Sequence, residues 1–181
     1  MTAPTDIKAL EASLKRSVSG EVRFDSYSRA MYSTDASIYQ MMPIGVVVPK
    51  DGSEVASVIS TCAEAGIPIL SRGGGTSLAG QTVNYAVVID YTKYMHNPLE
   101  VNAEERWVRT QPGITLDELN HYLRPYDLYY TPDPTTSSRA TIGGTIGNNS
   151  CGAHSVVYGK TVDHVLELNA ILSNGQQVHF Q

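Results

Sequence analysis

The chain has 181 residues, 13 Lys+Arg against 18 Asp+Glu for a net charge of −5, and 41% hydrophobic against 17% charged residues. That is the balance of an ordinary globular domain: enough apolar surface for a core and no charge block that would keep the chain disordered. A negative chain without a Lys/Arg cluster lacks the basic footprint that neutralises phosphates, which argues against nucleic acid as a partner. The amino terminus, Met1-Thr-Ala-Pro-Thr-Asp6, has no basic segment followed by an apolar one. No run approaches the roughly 18 apolar residues of a transmembrane segment. The expectation is a cytoplasmic protein, at most peripheral to the inner face of a membrane.

In chain order, Ile7, Leu10, Leu14 and Val18 lie at helical spacing and Gly20 follows as a stop, predicting a short amphipathic helix over 6–19. From Phe24 to Met42 no clear period is visible, which allows at most one helical turn, so 1–42 is expected to be a helix and an irregular lead-in to a domain over 43–181. Gly45-Val-Val-Val-Pro49 is a β-branched run, and Asp51 can cap a helix whose apolar stripe is Val55, Val58, Ile59 and Cys62, ending at Gly66. Ile67–Leu70 and Ala86–Asp90 are two further buried runs. Strand, helix, strand, glycine loop, strand implies a parallel βαβ unit with Cys62 in its core. Arg106–Thr110 reads as a strand, and Thr115 with Glu118 has capping-box spacing ahead of Leu116, Leu119 and Leu123. Val165–Leu172, Ser173-Asn-Gly175 and Gln177–Phe180 predict a terminal β-hairpin. The fold class expected is α+β: a small parallel βαβ subdomain followed by a mixed or antiparallel sheet subdomain. An ending one strand after a hairpin suggests part of a longer protein.

Two glycine-rich segments concentrate the chemistry. Ser71-Arg-Gly-Gly-Gly-Thr-Ser-Leu-Ala-Gly-Gln-Thr82 directly follows a predicted strand. Consecutive glycines allow positive φ and let main-chain N–H groups converge on an anion, while Thr76 and Ser77 add hydroxyl donors. Arg72 can add charge or lock the loop from behind. Gly75-x-x-x-x-Gly80-Gln81-Thr82 has Walker A spacing, but Gln81 stands where a lysine must reach the phosphates. A dinucleotide fingerprint would need glycine where Leu78 stands. The second segment runs from Thr131 through Pro132-Asp-Pro134 and Thr141-Ile-Gly-Gly-Thr-Ile-Gly-Asn-Asn-Ser-Cys-Gly152. It reads as a bare loop whose Asn148 and Asn149 offer amide donors and acceptors to a large, flat, polar ligand.

Arg72-Gly-Gly-Gly-Thr-Ser-Leu-Ala-Gly80, Val108-Arg-Thr-Gln-Pro-Gly113, Pro132-Asp-Pro134, Thr141-Ile-Gly-Gly144, Asn148-Asn-Ser-Cys-Gly152 and Tyr158-Gly-Lys160 resemble the flavin domain of FAD-linked oxidases. This is the vanillyl-alcohol oxidase and p-cresol methylhydroxylase fold. Tyr32-Ser-Thr-Asp-Ala-Ser37 and Asn149-Ser-Cys-Gly-Ala-His154 are most similar to the D-lactate, glycolate and D-2-hydroxyglutarate dehydrogenases, often fused to an iron–sulfur segment. The resemblance implies that Gly73, Gly74, Gly75, Thr76 and Ser77 hold the FAD pyrophosphate, with Arg72, Gly80 and Gln81 close by. Pro132, Asp133, Thr141, Gly143, Gly144, Gly147, Asn148, Asn149 and Gly152 would line the path to the flavin. Covalently flavinylated relatives often carry histidine where Gly75 stands here, so non-covalent FAD is expected. The implied reaction is hydride transfer from a D-2-hydroxyacid to FAD, with electrons passing on to an iron–sulfur centre, a cytochrome or a quinone. The catalytic residues are expected beyond Gln181. The alternatives are a non-catalytic flavin-binding module and an NAD(P)H-dependent reductase of the same fold.

His96, His121, His154, His164 and His179 lack metal spacing and no metal site is expected; His154 alone falls near the presumed flavin. Cys151, in a glycine segment, is a candidate redox thiol. Tyr122, Tyr126, Tyr129 and Tyr130 are expected to form a packed aromatic patch.

Overall fold

The computed structural model describes residues 6–181; residues 1–5, which carry most of the leader reading, lie outside the described residues. In chain order the elements are α1 (Ile7–Ser17), β1 (Glu21–Arg23), α2 (Ser26–Met31), β2 (Gly45–Val48), α3 (Gly52–Glu64), β3 (Ile69–Arg72) and β4 (Val87–Asp90). There follow β5 (Pro98–Asn102), β6 (Trp107–Thr110), α4 (Leu116–Leu123), α5 (Ile142–Asn148), α6 (Ser155–Tyr158), β7 (Leu168–Ile171) and β8 (Gln177–Phe180). Among the described residues no helix is long and apolar enough to cross a membrane. Two compact units interleave along the chain: one takes the chain up to Arg72, Ser77–Asp90 and Glu167–Gln181, the other Gly73–Thr76 and Tyr91–Leu166.

In the first unit a four-stranded sheet has the order β1-β2-β4-β3, with β2 and β3 both parallel to β4 and β1 antiparallel to β2. The central pair explains the order. Every residue of Gly45–Val48 and Val87–Asp90 is buried, as expected of strands covered on both faces, whereas Glu21–Arg23 and Ile69–Arg72 carry the polar residues tolerated at edges. Asp51 caps α3, accepting from Ser53 N and Glu54 N, and Val55, Val58, Ile59 and Cys62 are buried from one stripe of that helix. Leu10 and Leu14 of α1 are buried too. Gly66, at φ +65°, ends α3 in the left-handed region. β7 and β8 form the expected hairpin. The segment read as irregular with at most one helical turn supplies α2, and the three-residue β1 just ahead of it is too short to show a period.

In the second unit β5 and β6 form an antiparallel sheet of two strands, in line with the antiparallel alternative expected for the second subdomain. Its core is Ile114, Leu116, Leu119, Leu123, Ala140 and Ile142. The capping box at Thr115 is present, with Thr115 N donating to Glu118 Oε2 (2.9 Å) and Glu118 N donating to Thr115 Oγ1 (3.3 Å).

Candidate functional site

β3 extends through Arg72, which pairs in register with Asp90, so the glycine loop begins at Gly73 rather than at Ser71. Its three glycines have separate reasons. A Cβ on Gly73 would fall under 3.0 Å from Thr141 Oγ1, and one on Gly74 equally close to Arg139 O, so the loop main chain lies directly against residues 139–141. Gly75 has φ +66°, a backbone that side chains rarely adopt. Further along, Gly80 has φ +77° and packs against the Tyr39 ring, while Gln81 Oε1 accepts from Ser77 Oγ and from Ala79 N.

The segment Ile142–Asn148 is helix α5, not the bare loop expected from its glycines. Glycine's poor helix propensity hides it in the sequence; Thr141 nucleates it as N-cap, its buried hydroxyl accepting from Gly144 N (3.2 Å). Gly143 is needed because a Cβ would strike Pro112. Gly144 and Gly147 are different: both are exposed, and a Cβ would meet only Thr141 Oγ1 at 3.2 Å in the first case and nothing within 4 Å in the second. Three residues apart, they share one helical face. α5 thus presents a strip of uncovered main chain with exposed Asn148 at its end. Asn149 caps the helix at φ +44°, and its Oδ1 accepts from Val162 N (3.1 Å), so this amide is a structural tie.

Pro132 is buried, and Asp133 binds back to the second glycine segment. Its Oδ1 accepts from His154 N (3.1 Å), its Oδ2 pairs with His154 Nδ1, and Gly152 packs so closely on Asp133 that no Cβ fits. These bonds from His154 hold the Asp133 carboxyl below its ordinary range. Asp133 and His154 line a cavity of about 290 Å³ with Asn120, Tyr129, Tyr130, Thr131 and Tyr158. The expected tyrosine patch is two contacts instead: Tyr122 on Tyr126 with ring centroids 6.1 Å apart, and Tyr129 hydrogen-bonded to Tyr158. Cys62 is fully buried and Cys151 exposed.

Arg72 is tied within the first unit. Nη1 donates to Thr82 O (3.0 Å), Nη2 to Thr34 O (2.8 Å), and the guanidinium carbon lies 5.4 Å from the centroid of the Tyr32 ring. Tyr32 donates its hydroxyl to Asp90, and Asp35 accepts from Thr82 Oγ1 (3.0 Å) and Ser37 N (2.9 Å). Sequence reading named Arg72, and Thr82 as the end of the glycine segment, but gave no role to Tyr32, Thr34 and Asp35, whose sign was the wording Tyr32–Ser37.

Residues 43–181 match the family described as FAD binding domain. D-2-hydroxyglutarate dehydrogenase of Pseudomonas putida is 42% identical over 173 residues, covering 94% of this chain and 17% of that protein. Glycolate oxidase subunit GlcD of Bacillus subtilis is 36% identical over 162 residues, covering 87% of this chain and 34% of that one. The crystal structure of p-cresol methylhydroxylase with substrate bound superposes with a TM-score of 0.83 at 18% identity, over 95% of this chain and 35% of that chain, a likeness of fold. The chain therefore spans a sixth to a third of the length of these curated relatives.

Proposed function

The chain belongs to the FAD binding domain family, and from that membership we propose that it holds FAD without a covalent link, as the flavin-carrying part of a dehydrogenase for D-2-hydroxyacids. The observation that carries the reading is the pairing of the close-packed Gly73-Gly74-Gly75 turn on residues 139–141 with the uncovered Gly144/Gly147 strip of the adjoining helix. A glycine inside a helix costs about 1 kcal/mol relative to alanine, and Gly147, with nothing within 4 Å of a Cβ, does not recover it through packing, which suits a helix face that receives a flat ligand on its main chain. Main-chain N–H groups of Gly73–Ser77 and the hydroxyls of Thr76 and Ser77 are the donors for the pyrophosphate. Gly75, standing where covalent relatives often carry histidine, has no side chain to bond the flavin, which supports a non-covalent site.

When bound, FAD supplies the acceptor for the hydride leaving the hydroxyacid α-carbon. The described residues bind and orient; none is assigned as the base for the hydroxyl proton. The names of the relatives support D-2-hydroxyglutarate or glycolate as substrate, and D-lactate belongs to the same expected class. The onward acceptor in this reading is an iron–sulfur centre, cytochrome or quinone. The test is a visible absorption spectrum of the chain dialysed after incubation with FAD. Flavin bands that survive dialysis and are released intact by denaturation are expected; a folded chain that retains none overturns the reading.

A further inference from the structure

Resting on that reading, we infer that the segment Tyr32–Tyr39 is a clasp that presets the glycine loop, and that Arg72 is a positioning residue of this clasp rather than a ligand of the pyrophosphate. Arg72 and Thr82 are the two ends of the loop, and the Arg72 Nη1 bond to Thr82 O closes it across 10 residues. Both ends are then tied to the same third segment: Arg72 Nη2 reaches Thr34 O, and Asp35 takes Thr82 Oγ1 and N. Tyr39 packs under Gly80 inside the loop. The clasp is itself held in shape, with Ser37 N donating to Asp35, Met41 N to Ser33 O (2.9 Å) and Thr34 bridging Gln40.

Burial lowers the Arg72 pKa below its ordinary value, an effect that the nearby Asp90, Tyr32 and Asp35 oppose without cancelling. The Tyr32 ring lies under the guanidinium while its hydroxyl donates to Asp90. A planar fork bridging two carbonyls over an aromatic ring is a geometry that lysine cannot reproduce. Its benefit is entropic. A glycine-rich loop has much freedom to lose on binding, so a clasp that orders its Ser77–Thr82 arm beforehand lowers the cost of taking up the ligand. The pyrophosphate is left to main-chain N–H groups and hydroxyls.

The experiment compares the 181-residue chain with its Arg72→Lys, Asp35→Ala and Thr82→Val variants by amide hydrogen exchange without flavin and by FAD titration. In the flavin-free protein the amides of Ala79, Gln81 and Val83, which hydrogen-bond inside the loop, should exchange about tenfold faster in Arg72→Lys and Asp35→Ala, with sheet amides at Val46–Val48 unchanged. FAD affinity should fall by a similar factor, because only the preset fraction binds, and Arg72→Lys with Asp35→Ala together should lose no more than the worse single change. Unchanged exchange in every variant overturns the clasp. So does a weakened FAD affinity confined to Arg72→Lys with flavin-free exchange intact, which would make Arg72 a phosphate ligand. Thr82→Val removes one hydroxyl and nothing larger, so it decides the matter if the other variants do not fold. Since the exchange is read without flavin, failure of the chain to bind FAD leaves this test standing.

Discussion

Glu54 is a carboxylate only 8% exposed in the first helix turn of α3, and it accepts four hydrogen bonds, from Ser19 N, Ser19 Oγ, Gly20 N and Lys50 N. Burial alone would raise its pKa, but these bonds outweigh burial and hold it below the ordinary value of 4.5. A carboxyl depressed in the folded state contributes stability above its ordinary pKa and loses it as pH falls through the folded value. Glu54→Ala should therefore cost about 1–3 kcal/mol at neutral pH, since it orphans several donors, and the gap to the parent chain should narrow below about pH 4. Urea unfolding at several pH values checks both the size and the slope. The two thiols give a second residue-scale expectation. Burial pushes the Cys62 thiol up to about 11, whereas Cys151 is exposed. A thiol reagent should count one cysteine in the native chain and two after unfolding. At this scale the sequence was readable where an apolar stripe carried the residue, as with Cys62, and silent for Glu54, three of whose four hydrogen bonds come from residues 34 and 35 positions away.

Among the elements, α4 and α5 make a contrast. α4 was legible because its signals are local: a Thr/Glu capping box and leucines at helical spacing, both present in the structure. Thr115→Ala should cost about 1 kcal/mol of stability, measured by thermal or urea unfolding. α5 was not legible, because three glycines in seven residues argue for a loop, whereas the Thr141 cap, the burial of Ile142 and Thr145 and the packing of Gly143 against Pro112 make it a helix. Gly147→Ala separates the two uses of that glycine. In the flavin-free chain it should raise stability by about 0.5–1 kcal/mol, since the added methyl meets nothing within 4 Å. If the strip receives the cofactor, the same change should weaken FAD binding by about tenfold or more in the titration, and equal affinity would remove Gly147 from the site. The strands β1 and β5 escaped notice for another reason: they are short edges with exposed or half-exposed polar residues, so neither shows a run of apolar residues.

For the whole molecule, the cofactor reading makes a thermodynamic demand. A ligand bound by the folded chain alone, at a hundred times its Kd, adds about 2.7 kcal/mol to the unfolding free energy. Trp107, the single tryptophan, sits on β6 in the second unit, which also contains Gly73–Thr76 and α5. Its fluorescence should report a higher urea midpoint with FAD present. Absence of any shift at saturating FAD would count against the proposed cradle.

The sequence by itself determined the β-branched central strands, the Asp51 and Thr115 caps, the hairpin at Asn174-Gly175 and the glycine run after β3, because each is encoded by neighbours in the chain acting through period, propensity or turn chemistry. It also carried the family, since motifs over most of the chain agree. Only the tertiary structure decided why each glycine is a glycine. Gly73 and Gly74 are bare because residues 139–141 pass beside them, Gly152 because Asp133 does, and Gly147 faces open space. It alone decided that Arg72 is held by Thr34 and Thr82, 38 and 10 residues away. Those facts depend on segments far apart in the chain meeting in space, and no local pattern of residues records such a meeting.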